Sequence, residues 1–130
     1  GGPAYVQYDN FLATDGIQLL RTCGAVPVWA HPYLFRGGTV KTVLPELVAA
    51  GLMGVEVYHP THSPSDIRKL EELCEEYGLL MTGGSDYHGP AKSKQQPGVR
   101  LNELHVPLAL LSPLKRAAVA LKRSAPTVST

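Results

Sequence analysis

Two side chains that can bind a metal ion stand close together in the segment Gly83–Gly89, whose sequence is GGSDYHG. Asp86 and His88 are two residues apart, and side chains with this spacing point to the same side of an extended chain. A carboxylate and an imidazole could therefore face one ion, although a polar strand end has the same pattern. A further histidine, His31, also follows a short apolar run, at residues 26–29. The sequence thus predicts two strands that each end in metal-ligand chemistry.

The composition indicates one folded domain. The chain has 130 residues, of which 44% are hydrophobic and 18% charged, so it can bury a substantial core and is not expected to be disordered over most of its length. Its net charge of +1 argues against a strongly electrostatic binder of nucleic acid or membranes. No apolar run approaches the roughly 20 residues of a membrane helix. The amino-terminal residues lack the basic and apolar regions of a signal peptide.

Both cysteines, Cys23 and Cys74, fall among apolar neighbours on the faces of predicted helices. We expect two buried free thiols, with a disulfide or a metal-binding role as the alternative. Reduced thiols are typical of a cytoplasmic protein, which is the location we expect.

Hydrophobic periodicity predicts helices and strands that alternate along the chain. The predicted helices cover residues 14–23, 39–50, 63–77 and 112–123, and the predicted strands cover residues 26–30, 54–58, 79–82 and 104–106. The third helix has the clearest start, because Ser63 and Asp66 have the spacing of a capping box around Pro64. The second helix contains Pro45, so it either begins near Leu44 or is kinked there.

This order of elements predicts an α/β fold of repeated units with parallel strands and right-handed helical crossovers. In such folds, functional residues gather at the carboxyl ends of the strands. The chemistry-bearing residues at these ends are His31, Glu56, the loop 59–62 and the segment 86–88. Their common placement is the strongest argument that the residues alone provide for a functional site.

Three motifs, in this order and spacing, resemble the polymerase-and-histidinol-phosphatase (PHP) family. They are VPVWAHP at residues 26–32, GVEVY at residues 54–58 and GSDYHG at residues 84–89. The resemblance covers about residues 1–115 and is closest to small metal-dependent phosphoesterases, including nucleoside 3′,5′-bisphosphate phosphatases and 5′-end RNA exonucleases. It implies a distorted (β/α)7 barrel with two or three metal ions at the carboxyl ends of its strands.

Carried over by residue, the resemblance implies that His31, Asp86 and His88 bind metal ions. The family's amino-terminal His-x-His motif, its Asp-His-Asp type motif and further Glu and His ligands do not occur in this chain. We therefore expect residues 1–123 to form the carboxyl-terminal portion of a PHP domain and residues 124–130 to form a flexible tail. Three ligands would hold one ion at best, so the isolated chain is expected to be inactive.

The activity implied by the resemblance is hydrolysis of a phosphate ester of the nucleotide or oligonucleotide class by a metal-bound hydroxide, with Asp86 and His88 as catalytic residues. Mixed imidazole and carboxylate ligands suit manganese, iron or zinc. The expected partners are phosphorylated small molecules or nucleotides, or short nucleic-acid ends, and not membranes. The alternative is a non-catalytic half-barrel that binds or assembles with a partner. In either case, unpaired strand edges favour a homodimer or association through those edges.

Three residues are candidates for substrate binding, each with a structural alternative. His62 could donate a hydrogen bond to a substrate phosphate or lie on the surface at a helix start. Arg36 could bind phosphate through its guanidinium group or be a solvated loop residue. Glu56 could lie near the metal ions or contact a basic side chain, because a carboxylate in an apolar strand is costly to bury unless it is paired. His59 is expected to be structural.

Overall fold

A computed structural model describes residues 12–89 and 104–124 of the chain. These ranges form a three-stranded parallel sheet, in the order β1-β2-β3, with helices between the strands. The predicted α/β class with parallel strands is confirmed. The elements are α1 (Ala13–Thr22), β1 (Val28–Trp29), α2 (Val40–Ala49), β2 (Gly54–Tyr58), α3 (Pro64–Tyr77), β3 (Leu80–Gly83) and α4 (Leu111–Ser124), with 3-10 helices at Pro32–Leu34 and Leu108–Leu110.

The central strand, β2, pairs with both neighbours. It begins level with the other strands, because Gly54 pairs with Val28 on one side and Leu80 on the other. At its carboxyl end the pairing with β3 becomes irregular between Glu56 and Tyr58. Such irregularities bend a strand and change the direction of its side chains. This one lies at the end of the sheet where the candidate site residues were predicted.

The core is one apolar cluster built from α1, α2, β2 and α3. Its buried members are Ile17, Val40, Leu44, Leu47, Leu52, Val55, Val57, Leu70 and Cys74. Val55 and Val57 lie on the same face of β2 because side chains alternate along a strand. Burial of one such aliphatic side chain contributes about 1.5–3 kcal/mol, so this cluster is the main stabilising feature of the described residues.

The start and end of α3 agree with the prediction. The Ser63 hydroxyl accepts a hydrogen bond from the Asp66 amide, and the Asp66 carboxylate accepts one from the Ser63 amide, which completes the capping box. Gly78 ends the helix in the left-handed conformation, which glycine adopts without steric cost. The helix that contains Pro45 begins at Val40, so the predicted alternative of a start near Leu44 is wrong.

Two predictions from the apolar pattern are wrong. Cys23 is exposed, and so are Leu19 and Leu20 inside α1, so the carboxyl-terminal half of this helix is less buried than its apolar pattern predicted. No strand forms at residues 104–106, where the chain is irregular and Val106 instead directs its side chain towards Gly83 of β3. Cys74 is buried as predicted.

The predicted tail, residues 124–130, lies outside the described residues except for Ser124, which ends α4. The first strand is shorter than predicted and covers only Val28–Trp29. None of the helices in the described ranges combines the length and the apolar character that crossing a lipid bilayer requires.

Candidate functional site

Polar residues from all three strand ends meet at one edge of the sheet. The rings of His31, after β1, and His59, after β2, lie with their centroids 5.5 Å apart. On its other side, His59 approaches Asp86, which follows β3, with 3.8 Å between Nε2 and a carboxylate oxygen. His88 Nδ1 lies 3.5 Å from the second carboxylate oxygen of Asp86. His59 thus lies between the histidine of the first predicted motif and the Asp86–His88 pair of the last.

His31 and Asp86 both have strained backbones. Their φ angles are +32° and +52°, and they are the only non-glycine residues with positive φ in the described ranges. Side chains other than glycine adopt this region at a cost of order 1–3 kcal/mol, and such residues are concentrated at functional sites. The strain at this edge of the sheet therefore supports its interpretation as a site.

Glu56 holds the chain at His31. Its carboxylate accepts a hydrogen bond from the His31 backbone amide at 2.7 Å, across a separation of 25 residues. The sequence left open whether Glu56 lies near the metal ions or contacts a basic side chain. The hydrogen bond seen here is instead with the main chain. The predicted role of Glu56 in substrate binding stays a prediction.

His59 is 2% exposed, and the backbone determines which ring nitrogen carries its proton. The Thr61 amide donates to Nδ1 at 3.2 Å, so Nδ1 has the lone pair and, in the neutral ring, Nε2 has the proton. Burial lowers the pKa of His59 and so favours that neutral ring. His59 therefore presents an N–H donor towards Asp86. The sequence placed the loop 59–62 at this edge and expected a structural role for His59, but its position in a polar loop gave no signal of burial.

His62 has the opposite tautomer. Its Nδ1 lies 2.8 Å from the carbonyl oxygen of Val57, which can only accept, so Nδ1 carries the proton and Nε2 the lone pair. His62 is 7% exposed, so the alternative of a surface residue at a helix start is wrong. Within the described ranges, Nε2 of His59 and Nε2 of His62 are both buried without a hydrogen-bond partner. Buried nitrogens without a hydrogen-bond partner are rare in folded proteins, so both are candidates for a chemical role.

His88 is arranged as metal-binding histidines usually are. Its Nδ1 lies 2.6 Å from the backbone carbonyl of Asp86, which fixes the proton on Nδ1 and leaves Nε2 with a lone pair. The side chains of His88 and Asp86 are 48% and 39% exposed, so both are accessible from solvent. Imidazole and carboxylate donors of this type suit a divalent transition metal.

A complete metal site does not form from these residues alone. Over residues 12–89 and 104–124, no three His, Cys, Asp or Glu side chains are grouped closely enough to hold a metal ion. Arg36 is exposed in the loop after the first 3-10 helix, and within the described ranges no hydrogen bond or ion pair joins it to Glu56, Asp86 or the site histidines. The structure therefore brings His31, His59, His62, Asp86 and His88 to one edge, and it shows no direct link to Arg36.

The fold and the site define a class of protein: an α/β domain with imidazole and carboxylate groups at the carboxyl ends of its parallel strands. No family model matches the chain. Over 91 residues it is 38% identical to the phosphoribosyl 1,2-cyclic phosphate 1,2-diphosphodiesterase of Eggerthella lenta. The aligned region covers 68% of this chain and 33% of that protein. Over 100 residues it is 29% identical to the 3′,5′-nucleoside bisphosphate phosphatase of Chromobacterium violaceum, and that aligned region covers 75% of this chain and 35% of the relative.

Two solved structures have the same fold. One, from Bifidobacterium adolescentis, is assigned as a metal-dependent phosphoesterase; it has a TM-score of 0.69 and 27% identity, over 89% of this chain and 40% of that one. The other is an amidohydrolase from Chromobacterium violaceum with bound sulfate and no metal; it has a TM-score of 0.67 and 26% identity, over 93% and 41%.

The chain is thus a homologue of PHP-type phosphoesterases over about 70% of its length, and it fits part of a PHP domain. This confirms both the resemblance found in the three motifs and the predicted fold class. The chain spans about a third of the length of the curated relatives it matches and about 40% of the length of the solved chains.

Proposed function

We propose that this chain is part of a metal-dependent phosphoesterase that hydrolyses a phosphate ester of the nucleotide class. The observation that carries the proposal is the placement of His31, Asp86 and His88 at the carboxyl ends of parallel strands, in a homologue of two phosphate-ester hydrolases. Because these residues do not form a complete metal site, we expect the chain to need the rest of the domain for turnover.

Asp86 and His88 are the proposed catalytic pair, and with His31 they are the proposed metal ligands. The lone pair on Nε2 of His88 and the exposed carboxylate of Asp86 are both free to bind a cation. A divalent metal ion, when bound, would supply Lewis-acid activation of water and of the phosphoryl group. Manganese, iron and zinc all suit this donor set.

The phosphoryl group is proposed to bind beside His59 and His62. The neutral His59 offers an N–H donor, whereas neutral His62 offers a lone pair and must be protonated before it can donate to phosphate. Arg36 is proposed to approach the phosphate from the neighbouring loop.

The test compares the isolated chain with the complete domain. Activity is measured on a nucleoside 3′,5′-bisphosphate and on a cyclic phosphate diester, with added manganese. We expect turnover by the complete domain, none by the isolated chain, and loss of turnover of at least about 100-fold in Asp86→Ala or His31→Ala. Asp15→Ala and His105→Ala change exposed residues that are not among the proposed metal ligands or substrate-binding residues, and they serve as matched controls. Activity retained in Asp86→Ala would remove this residue from the mechanism.

A non-catalytic binding or assembly unit is the second candidate. It is favoured by the incomplete metal site and by the open sides of β1 and β3, which are the edge strands of the described sheet. We propose that the isolated chain forms a homodimer through one of these edges. Light scattering is expected to give twice the mass of the chain at high protein concentration, and a monomer under those conditions would contradict the proposal.

A further inference from the structure

The Glu56 carboxylate lies between the ends of the two outer strands. One oxygen, Oε2, accepts a hydrogen bond from the His31 amide at the end of β1. The other, Oε1, faces Gly84 after β3 so closely that a Cβ atom there would lie 2.7 Å from it. Gly84 does not have positive φ, so the lack of a side chain matters for space and not for backbone conformation. A single carboxylate on the central strand therefore contacts both neighbouring strand ends.

The hydrogen bond to Glu56 stabilises the strained backbone conformation of His31. At φ +32° and ψ +61°, His31 adopts a left-handed conformation that an ordinary side chain avoids. At 2.7 Å the bond from the His31 amide to the Glu56 carboxylate is short. It fixes the direction of the His31 backbone, and hence the position of the imidazole ring beside His59.

We propose that Glu56 is a positioning residue for His31, and that it contacts neither the metal ion nor the substrate. The proposal rests on the proposed function in one respect, which is that His31 is a metal ligand. Position 56 then requires a side chain that reaches the His31 amide and accepts its hydrogen bond, but it does not require a negative charge. Glutamine fulfils this requirement. An aspartate keeps the charge but is one methylene too short.

The primary test is NMR of the isotope-labelled chain. In Glu56→Ala and Glu56→Asp, hydrogen exchange of the His31 amide is expected to accelerate by about tenfold or more, and the His31 ring signals to shift as the ring leaves His59. In Glu56→Gln, exchange is expected to change by less than about fivefold, with the ring signals retained. Glu71→Gln is the matched control, since the Glu71 carboxylate accepts an equally short hydrogen bond from the Tyr58 hydroxyl, at 2.7 Å.

A second variant leaves Glu56 in place. Gly84→Ala adds a methyl group where the Glu56 carboxylate now lies, so it should displace the carboxylate and accelerate exchange at His31 in the same direction as Glu56→Ala. Unchanged His31 exchange in Glu56→Ala and Gly84→Ala, or a glutamine variant that behaves like the alanine variant, would overturn the proposal.

Kinetics of the complete domain provide the independent readout. A positioning role predicts that Glu56→Gln keeps kcat within about fivefold of the parent while Glu56→Asp loses more, and a ligand role predicts the reverse order, because a ligand depends on charge. The reverse order would overturn the proposal. If the complete domain hydrolyses no phosphate ester, the proposed function fails, while the NMR comparison still decides whether Glu56 positions His31.

Discussion

Replacement of His62 by asparagine or alanine distinguishes the hydrogen bond from Nδ1 to Val57 from the chemical role of Nε2. His62 is buried, and its Nδ1–H donates to the carbonyl oxygen of Val57, a residue with no exposed surface. An asparagine places its amide nitrogen close to the position of Nδ1, whereas alanine removes the donor altogether. Neither substitute retains an atom at the position of Nε2.

The two variants should differ in stability by a measurable amount. Alanine leaves a buried carbonyl oxygen without its donor, which costs about 1–3 kcal/mol, and opens a cavity that adds to the loss. We expect His62→Ala to lower the free energy of unfolding by about 3 kcal/mol in total. His62→Asn keeps the hydrogen bond and loses only part of the ring packing, so we expect a loss of about 1 kcal/mol.

Urea unfolding followed by the fluorescence of Trp29, the only tryptophan, measures these differences. His105→Asn is the control, because His105 is exposed and its replacement should change stability by less than about 0.5 kcal/mol. In the complete domain, His62→Asn should bind inorganic phosphate more weakly although it is folded, since the Nε2–H donor of the protonated imidazole is lost. Equal destabilisation by asparagine and alanine would show that the hydrogen bond to Val57 does not govern the stability at this position.

Three further predictions concern the core and its titratable groups. The exposed thiol of Cys23 should react with a thiol reagent at pH 8 about 100-fold faster than Cys74, because burial raises the pKa of Cys74 to about 11; equal rates would contradict this. Burial and the hydrogen bond to Glu71 raise the pKa of Tyr58 to about 12, so its neutral phenol stabilises the fold fully below pH 10 and less as the pH rises towards 12. Tyr58→Phe should flatten the decline in the free energy of unfolding over that range, and an unchanged slope would exclude the phenol as its cause. Leu44→Ala should cost about 2–5 kcal/mol in urea unfolding, because Leu44 is fully buried; a loss below about 1 kcal/mol would contradict its place in the core.

Features set by neighbouring residues could be predicted from the sequence. The capping box of Ser63 and Asp66 and the terminal Gly78 involve contacts within one or two turns, and all three agree with the structure. The central strand was also predicted with its observed limits, Gly54–Tyr58, because its apolar residues are bounded by clear turn signals. The exposure of the carboxyl-terminal half of α1 was not predicted, because it depends on how the helix packs in the fold, and both Leu20 and Cys23 are exposed.

The detail of the site depends on contacts between distant parts of the chain. The hydrogen bond between Glu56 and His31 spans 25 residues, and no local pattern in the sequence specifies it. Polar loops are normally exposed, so the burial of His59 and His62 follows only from how the loop packs against the strand ends. The sequence predicted which strand ends carry chemistry, whereas the tautomers of the two histidines follow from backbone groups that composition does not reveal.

Because side chains alternate along β2, successive residues of this strand have different roles. Val55 and Val57 are locked into the hydrophobic interior, while Glu56 and Tyr58 reach His31 and Glu71. The strand cannot shift or tilt to suit a new ligand without disturbing the packing of the whole domain. Divergence in substrate choice among relatives is therefore expected to arise in the segments that follow β1 and β3, with the middle strand kept as a rigid reference.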